Sequence, residues 1–529
     1  MPFKILKPTK SGFKIADDFF RFGVLMRRYE DLHGYQQSAI DFIYEHDRSM
    51  ALLPVGAGKT AIAWTAMAEL MDAGEIERPI VFAPMRVAQL VWAQERNQWQ
   101  HLSGRPVVLW GGEPAAWADS PWKTSRQLWG SRQYLESRIS KVVDVRKRRE
   151  FEQKLADVVT NERKVNKTVR ATVPPKAVHV ISYENLTWLC ELYAPGESPF
   201  DCWIFDELGK LKNPKSPRYK AVRKHTKEAK MVVGLNATPA PEGLLDLYSQ
   251  VTIVDGGKLF GKSFYQWRQK YFVPTDYQGF NWRPQIGGAE LILKDLNTIA
   301  FRVDEADLSY RKSMEHTQIE VDLPEKARVA YDDMAKRMAV ELEGRDDLVA
   351  MSAAASSMKL RQITSGFLYD EDGKAIVLHE EKINALSDLI DSMGKEPLLV
   401  AYEFGQDLEM MRKIWRNIPY LGQGLSAAKA QENVDRWNKR ELPVMALHWL
   451  SAGHGVNLQA GGSHLCFFNL PWALDGWVQT CGRIDRQGQT RACYSHSIIA
   501  RDSMDQKVWS ALTDKDEAQK KLIEGVRKL

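Results

Sequence analysis

Three short segments of this chain carry residues whose types and spacing could do phosphate chemistry. Pro54-Val55-Gly56-Ala57-Gly58-Lys59-Thr60 follows the apolar run Met50 to Leu53 and opens a segment of helical spacing that continues to about Ala73 and stops at Gly74. Glycines let backbone N–H groups wrap a phosphate, and a helix N-terminus adds partial positive charge. Lys59 would neutralise terminal phosphates and Thr60 can ligate magnesium. Asp206-Glu207 follows the apolar run Cys202 to Phe205, so both carboxylates fall at a strand's carboxyl end, where open α/β sheets place ligand chemistry. There Asp206 would hold magnesium and Glu207 would orient or deprotonate an attacking water. Gln479, Arg483 and Arg486 recur at i, i+4 and i+7, which predicts one face of a helix. Two arginines aimed at a neighbouring lobe could stabilise charge on a transferring phosphoryl group. Taken together, the segments imply one nucleotide held between two lobes. The plainer readings are a glycine turn before a helix, a structural carboxylate pair and a solvated arginine stripe.

The elements that must position these residues are short apolar runs alternating with helical patterns. Met50–Leu53, Pro79–Phe82, Val107–Trp110, Val178–Ile181, Cys202–Phe205 and Met231–Gly234 are near-continuous apolar runs, as suits parallel strands buried on both faces. The stretches between them are long enough for crossover helices, which is the doubly wound pattern. A second series follows at Leu398–Ala401, Val444–Leu447 and Leu465–Phe468. The expected fold is therefore α/β, two tandem doubly wound parallel-sheet lobes. The predicted division is an N-terminal extension over 1–30, a first lobe over 31–255 and a junction over 256–315. A second lobe over 316–510 and a helical tail over 511–529 complete it. A basic, largely helical insertion over about 112–175 lies between the third and fourth strands of the first lobe.

With 529 residues the chain is too long for one core, and 44% hydrophobic and 27% charged residues are ordinary for a globular protein. No apolar run spans a bilayer and no apolar signal core follows Met1, so neither a membrane nor secretion is expected. The five cysteines, Cys190, Cys202, Cys466, Cys481 and Cys493, have no zinc or redox spacing and read as reduced core residues. The net charge is only +5, yet residues 141–170 carry ten Lys/Arg against five Asp/Glu. Arg146-Lys147-Arg148-Arg149 heads that run; it reads as a solvated helical face, a phosphate-contacting surface or a localisation signal.

Taken in order, the motifs resemble superfamily-two nucleic-acid motors, and most closely the Swi/Snf-like branch of double-stranded DNA translocases. Leu32-His33-Gly34-Tyr35-Gln36 is similar to that branch's adenine-reading glutamine motif, with His33 in place of an arginine. Ala83-Pro84-Met85-Arg86-Val87, followed by Trp92, resembles its first DNA-contact motif, and Ile181-Ser182-Tyr183-Glu184 resembles another first-lobe segment. Asp206-Glu207-Leu208-Gly209 stands where the family often has Asp-Glu-Ala-His, with Lys212-Asn213-Pro214 following. Leu235-Asn236-Ala237-Thr238-Pro239 resembles the coupling motif Thr-Gly-Thr-Pro. Leu360-Arg361-Gln362-Ile363 and Lys382 resemble the entry to the second lobe. Ser451-Ala452-Gly453-His454-Gly455-Val456-Asn457-Leu458 and the segment Gln479–Gln489 resemble two second-lobe motifs. Two departures, Gly209 for a histidine and Ala237 for a glycine, touch neither phosphate nor magnesium and bear on coupling to DNA.

The resemblance implies two RecA-like lobes and an ATPase stimulated by DNA. ATP and Mg2+ are the implied cofactors, bound by Gln36, Pro54–Thr60 and Asp206. Lys59, Glu207, Gln479, Arg483 and Arg486 would be catalytic. DNA, duplex rather than single strand and without sequence preference, would meet Pro84, Arg86, Ser451, Gly455 and Asn457, with Arg146–Arg149 adding backbone contacts. A monomer in the cytoplasm of a bacterial or phage-infected cell is expected, because the chain is compact and carries no long targeting domains. Two rivals share these motifs. One is a strand-separating DNA or RNA helicase, whose stacking surface would be Tyr271, Phe272, Phe280 and Trp282. The other is a non-enzymatic DNA-binding scaffold.

Overall fold

The computed structural model describes residues 4–9, 12–17, 26–110, 121–142, 144–171, 173–277, 279–303, 308, 314–343, 347–452 and 456–525. The chain divides into two compact units, one of residues 1–54, 58–307 and 521–529, the other of residues 55–57 and 308–520.

In the first unit seven strands form one sheet in the order Ala300–Arg302, Arg48–Leu52, Met231–Asn236, Cys202–Asp206, Pro79–Ala83, Val178–Ser182, Val107–Trp110. Every neighbouring pair is parallel. Parallel pairing needs crossovers on the sheet faces, so the central strands are buried throughout. All strand carboxyl ends therefore lie on one edge, and the ends of Arg48–Leu52 and Cys202–Asp206 flank that of Met231–Asn236.

The insertion is a helical hairpin of Pro121–Ile139 and Val145–Ala171. Ser125 donates to Asn166 at 2.5 Å and Arg132 pairs with Glu162 at 2.9 Å, so the helices run antiparallel. Trp122, stacked on Trp110 at 4.1 Å, seats its base on the sheet, and Arg146–Arg149 are exposed near the turn between the helices. Residues 112–120 of the predicted insertion lie outside the described residues.

In the second unit six parallel strands run Glu315–Val321, Tyr494–Ala500, His464–Phe467, Leu398–Tyr402, Val444–His448, Tyr420–Leu421. Leu399, Ala401, Met445 and Leu447 pack on one face of this sheet. Leu398, Val400, Val444 and Ala446 pack on the other, so period-two alternation gives two half-cores rather than a wet face. The architecture is α/β, two doubly wound parallel-sheet units with a helical insertion in the first. All five cysteines are free and buried. Among the described residues no helix is long and apolar enough to cross a membrane.

Candidate nucleotide site

The first strand ends at Leu52 and the helix Lys59–Asp72 begins on Gly58, which takes a left-handed φ of 77° as its N-cap. Gly56 is also left-handed, at φ 81°. A side chain at either position would be strained, so both glycines are required by the turn itself. Lys59 is buried, and its ammonium donates to the carbonyls of Leu53 and Pro54 at 3.0 Å each. Thr60 lies in the first helical turn. Gln36, buried in the helix Gly34–Glu45, lays its amide against Gly58, where a Cβ would collide with it. Its Oε1 accepts the His33 N–H at 2.9 Å, which fixes the head of that helix.

Asp206 is buried at the end of its strand, and Trp92 Nε1 donates to its Oδ2 at 2.9 Å. Burial pushes the Asp206 carboxyl up from its ordinary range; the Trp92 hydrogen bond and the Lys59 charge draw it back. Glu207 follows in a left-handed conformation, φ 60° and ψ 56°. That is uncommon for a residue with a side chain and costs about 1–3 kcal/mol. Tyr183 helps to hold this turn, donating from its buried hydroxyl to the Asp206 carbonyl at 2.9 Å.

The loop after the neighbouring strand is tied to the same turn. A Cβ at Gly209 would lie 3.2 Å from Asn236 Nδ2, so the asparagine already fills the space a side chain at 209 would enter. Asn236 donates to Gln250 Oε1 at 2.6 Å and accepts the Thr238 N–H at 3.2 Å. Gln250 Nε2 donates to the carbonyls of Pro239 at 2.5 Å and Asp246 at 2.9 Å. Glycine at 209 and asparagine at 236 are thus steric partners. Trp92 and Tyr183 meet the carboxylate turn from 114 and 23 residues away, and Gln250 meets the neighbouring loop from within 14 residues; no spacing in the sequence announces their roles.

In the second unit the helix of Gln479 spans only Leu474–Cys481. The expectation of one helical face for Gln479, Arg483 and Arg486 is corrected here. The bonding changes from Gly482 N–H to Val478 O into tight turns, Arg483 N–H to Thr480 O and Ile484 N–H to Cys481 O, so both arginines lie beyond the helix end. Arg483 is buried, not a surface stripe, and donates to the Val456 carbonyl at 3.2 Å, while its own carbonyl accepts the Leu458 N–H at 3.1 Å. Arg486 donates to the side chain of Asn457. Gln489 pins the turn by donating to the Gln459 and Gly462 carbonyls at 3.0 Å each. The arginines and Asn457 therefore form one cluster within this unit. Gly455 lies outside the described residues, as does the side chain of Ser451. In the first unit Pro84 is buried at its strand's end and Arg86 is exposed.

A glycine loop, its lysine and a buried strand-end carboxylate on one edge of a parallel sheet form a candidate phosphate-loop site, and sequence similarity marks the chain as a helicase-type, ATP-hydrolysing enzyme. Residues 30–241 match the family model of the type III restriction enzyme res subunit. The chain is 30% identical over 510 residues to putative protein p41 of Acyrthosiphon pisum secondary endosymbiont phage 1, covering 93% of this chain and 98% of that one. It is 24% identical over 362 residues to the SWI/SNF-related matrix-associated actin-dependent regulator of chromatin subfamily A-like protein 1 of Xenopus tropicalis, covering 66% of this chain and 36% of that protein. To the DNA repair and recombination protein RAD54-like of Gallus gallus it is 22% identical over 507 residues, 87% of this chain and 62% of that one. It thus spans less than two thirds of the last two relatives. The chain belongs to the Swi/Snf-like branch of the superfamily-two helicases.

Proposed function

We propose that this protein is a motor that moves along duplex DNA, driven by ATP hydrolysis. The observation that carries the reading is the sheet edge of the first unit. There Gly58 and Lys59, at the head of a helix, stand with a buried Asp206 that feels the Lys59 charge and carries a strained Glu207 beside it. The donor set suits ATP with magnesium. Gly56, Gly58 and Lys59 would hold the phosphates, Gln36 the adenine, and Thr60 with Asp206 a hard cation that takes few protein ligands. That cation would polarise the terminal phosphate, with Glu207 orienting the water. Arg483 and Arg486, with Gln479 behind them, would be the second unit's contribution to the charge developing on the phosphoryl group.

DNA as the track is supported by the motif series and by the DNA-repair relative. Arg86 and Asn457, with the exposed Arg146–Arg149, would meet phosphates, which carry no sequence information. We read the protein as a monomer of the bacterial or phage-infected cytoplasm, with the division 1–30, 31–255, 256–315, 316–510 and 511–529 as its functional layout. Steady-state phosphate release on blunt duplex, single-stranded DNA and RNA of matched length tests the reading. Duplex should stimulate at least as well as single strands, and Lys59→Ala should abolish turnover while nucleotide-free DNA binding persists. Stimulation by single strands or RNA alone would replace the motor with a strand-separating helicase. Normal hydrolysis by Lys59→Ala would remove the site assignment.

A further inference from the structure

Residues Phe272–Pro274 and Trp282–Pro284 pair as an antiparallel ribbon, with Phe272 opposite Pro284, Val273 opposite Arg283 and Pro274 opposite Trp282. Its root is fixed. Tyr271 and Phe272 are buried in the core of the first unit, where Trp267 packs on both rings. The tip is fixed as well. Asp276 accepts the backbone N–H groups of Phe280 at 2.9 Å and Asn281 at 2.6 Å, and Thr275 N–H donates to the Asn281 carbonyl at 2.8 Å. Trp282 is the brace between root and tip: its Nε1 donates to the Gly279 carbonyl at 2.7 Å, and the Arg268 guanidinium lies 4.0 Å from its ring.

Of the four aromatics named as a stacking surface from the sequence, three are therefore occupied within the fold. The tip instead presents Tyr277 and Phe280, which are 106% and 79% exposed. Single exposed apolar residues are ordinary. Two aromatic rings held out from one cross-braced turn are not, because packing would have stabilised each of them. The charge of the surrounding chain favours one partner. From Phe264 to Ile286 it carries Arg268, Lys270 and Arg283 against Asp276 alone; Arg268 lies on the Trp282 ring, the Asp276 carboxylate is taken by backbone donors, and Asp295 stands at the root, accepting from Tyr271 at 3.3 Å. Aromatic faces among cations are the chemistry that binds unpaired nucleotides, rings stacking on bases while cations meet the backbone. A continuous duplex buries its base faces and offers the rings little.

We infer that this ribbon is a second nucleic-acid contact that stacks the unpaired bases at a junction between single- and double-stranded DNA. The inference rests on DNA being the track, and it adds a substrate feature that track alone does not require. Equilibrium binding of the full chain, without nucleotide, to a blunt duplex and to a forked duplex of equal length tests it. The fork should bind tighter by at least about 5-fold for each ring that stacks. Tyr277→Ala with Phe280→Ala should bring the fork-to-duplex ratio to about 1. Tyr277→Phe with Phe280→Tyr should keep the preference, because the ring faces remain. Tyr277→Leu with Phe280→Leu should lose it, because apolar bulk remains without a flat face. Equal binding of both DNAs by the unmodified protein would overturn the inference alone. A preference kept by the leucine pair would also overturn it, because flat ring faces would then not be what selects the fork. Failure to bind either DNA would overturn the DNA reading and the inference with it.

Discussion

Asp206 is a carboxylate whose working range is set by burial against the Trp92 N–H, the Lys59 charge and the Glu207 backbone, and Trp92 is the one that can be changed without touching phosphate chemistry. Burial raises the Asp206 carboxyl, and the Trp92 N–H at 2.9 Å opposes that rise. A carboxyl raised in the fold favours the folded state at low pH, and that contribution is lost as pH rises through the folded value. Magnesium ligation needs the ionised form, so hydrolysis should fall once pH is low enough to protonate Asp206, a limb that the cation itself would draw downward. Trp92→Phe removes the opposing hydrogen bond, and the acid limb of the kcat/KM profile should move to higher pH. An unmoved limb would separate Trp92 from Asp206 titration. The two arginines should separate by a different measurement. Arg486→Ala should cut kcat by about 10²-fold or more with little change in Tm. Arg483→Ala should cut kcat similarly and also lower Tm, because a buried side chain is lost and the half-buried Val456 carbonyl loses its donor. Wild-type rates in both variants would return the pair to a structural role.

At the scale of elements, the basic insertion shows how a charge count becomes a surface. Arg148 pairs with Glu152 at 3.1 Å and Lys154 with Glu150 at 2.5 Å, one turn apart on the same helix. Such exposed pairs contribute little stability, and they leave Arg146, Lys147 and Arg149 to dominate the turn of the hairpin. Changing those three to Ser should weaken duplex binding and flatten its salt dependence by about 0.9 log units for each phosphate that is no longer neutralised. DNA-free hydrolysis should hardly move. A constant slope would leave the hairpin a solvated face. The sequence showed the hairpin's composition and the strands that are continuous apolar runs, because such runs survive without context. It did not show Ala300–Arg302, Tyr420–Leu421 or the largely exposed Glu315–Val321. The first two are only three and two residues long, and the third is exposed along most of its length, so none leaves a readable pattern. Tyr494–Ala500 was hidden differently, its serines and histidine breaking an otherwise buried run. Within the candidate site, the phosphate loop and Asp206-Glu207 were legible because each is local in the chain. Trp92 and Tyr183 act from other elements, Gln250 acts through a side-chain bond that no spacing marks, and the helix before Arg483 ends at Cys481, where spacing alone predicted continuation.

For the whole molecule, the residues proposed for hydrolysis are divided between the two compact units: Lys59 and Asp206 in one, Arg483 and Arg486 in the other. A single-unit hydrolase would need no such division. If both sets must act on one phosphate, each turnover requires the units to cooperate, and a cycle of binding and release becomes a cycle of mechanical work. Stepping then needs a grip that ignores base identity, which phosphate contacts supply. It does not need the strands to part. The protein should therefore displace a third strand from a triplex in an ATP-dependent reaction while leaving a blunt duplex intact. Gel-resolved strand displacement on the two substrates, with Lys59→Ala as the hydrolysis-dead reference, measures this directly. Triplex displacement without hydrolysis would reduce the motor to a binding protein. Efficient opening of blunt duplex would show that the units drive strands apart. Opening confined to forked duplex and abolished in the Tyr277 and Phe280 alanine pair would assign that work to the ribbon tip, leaving the two sheet units to supply the step.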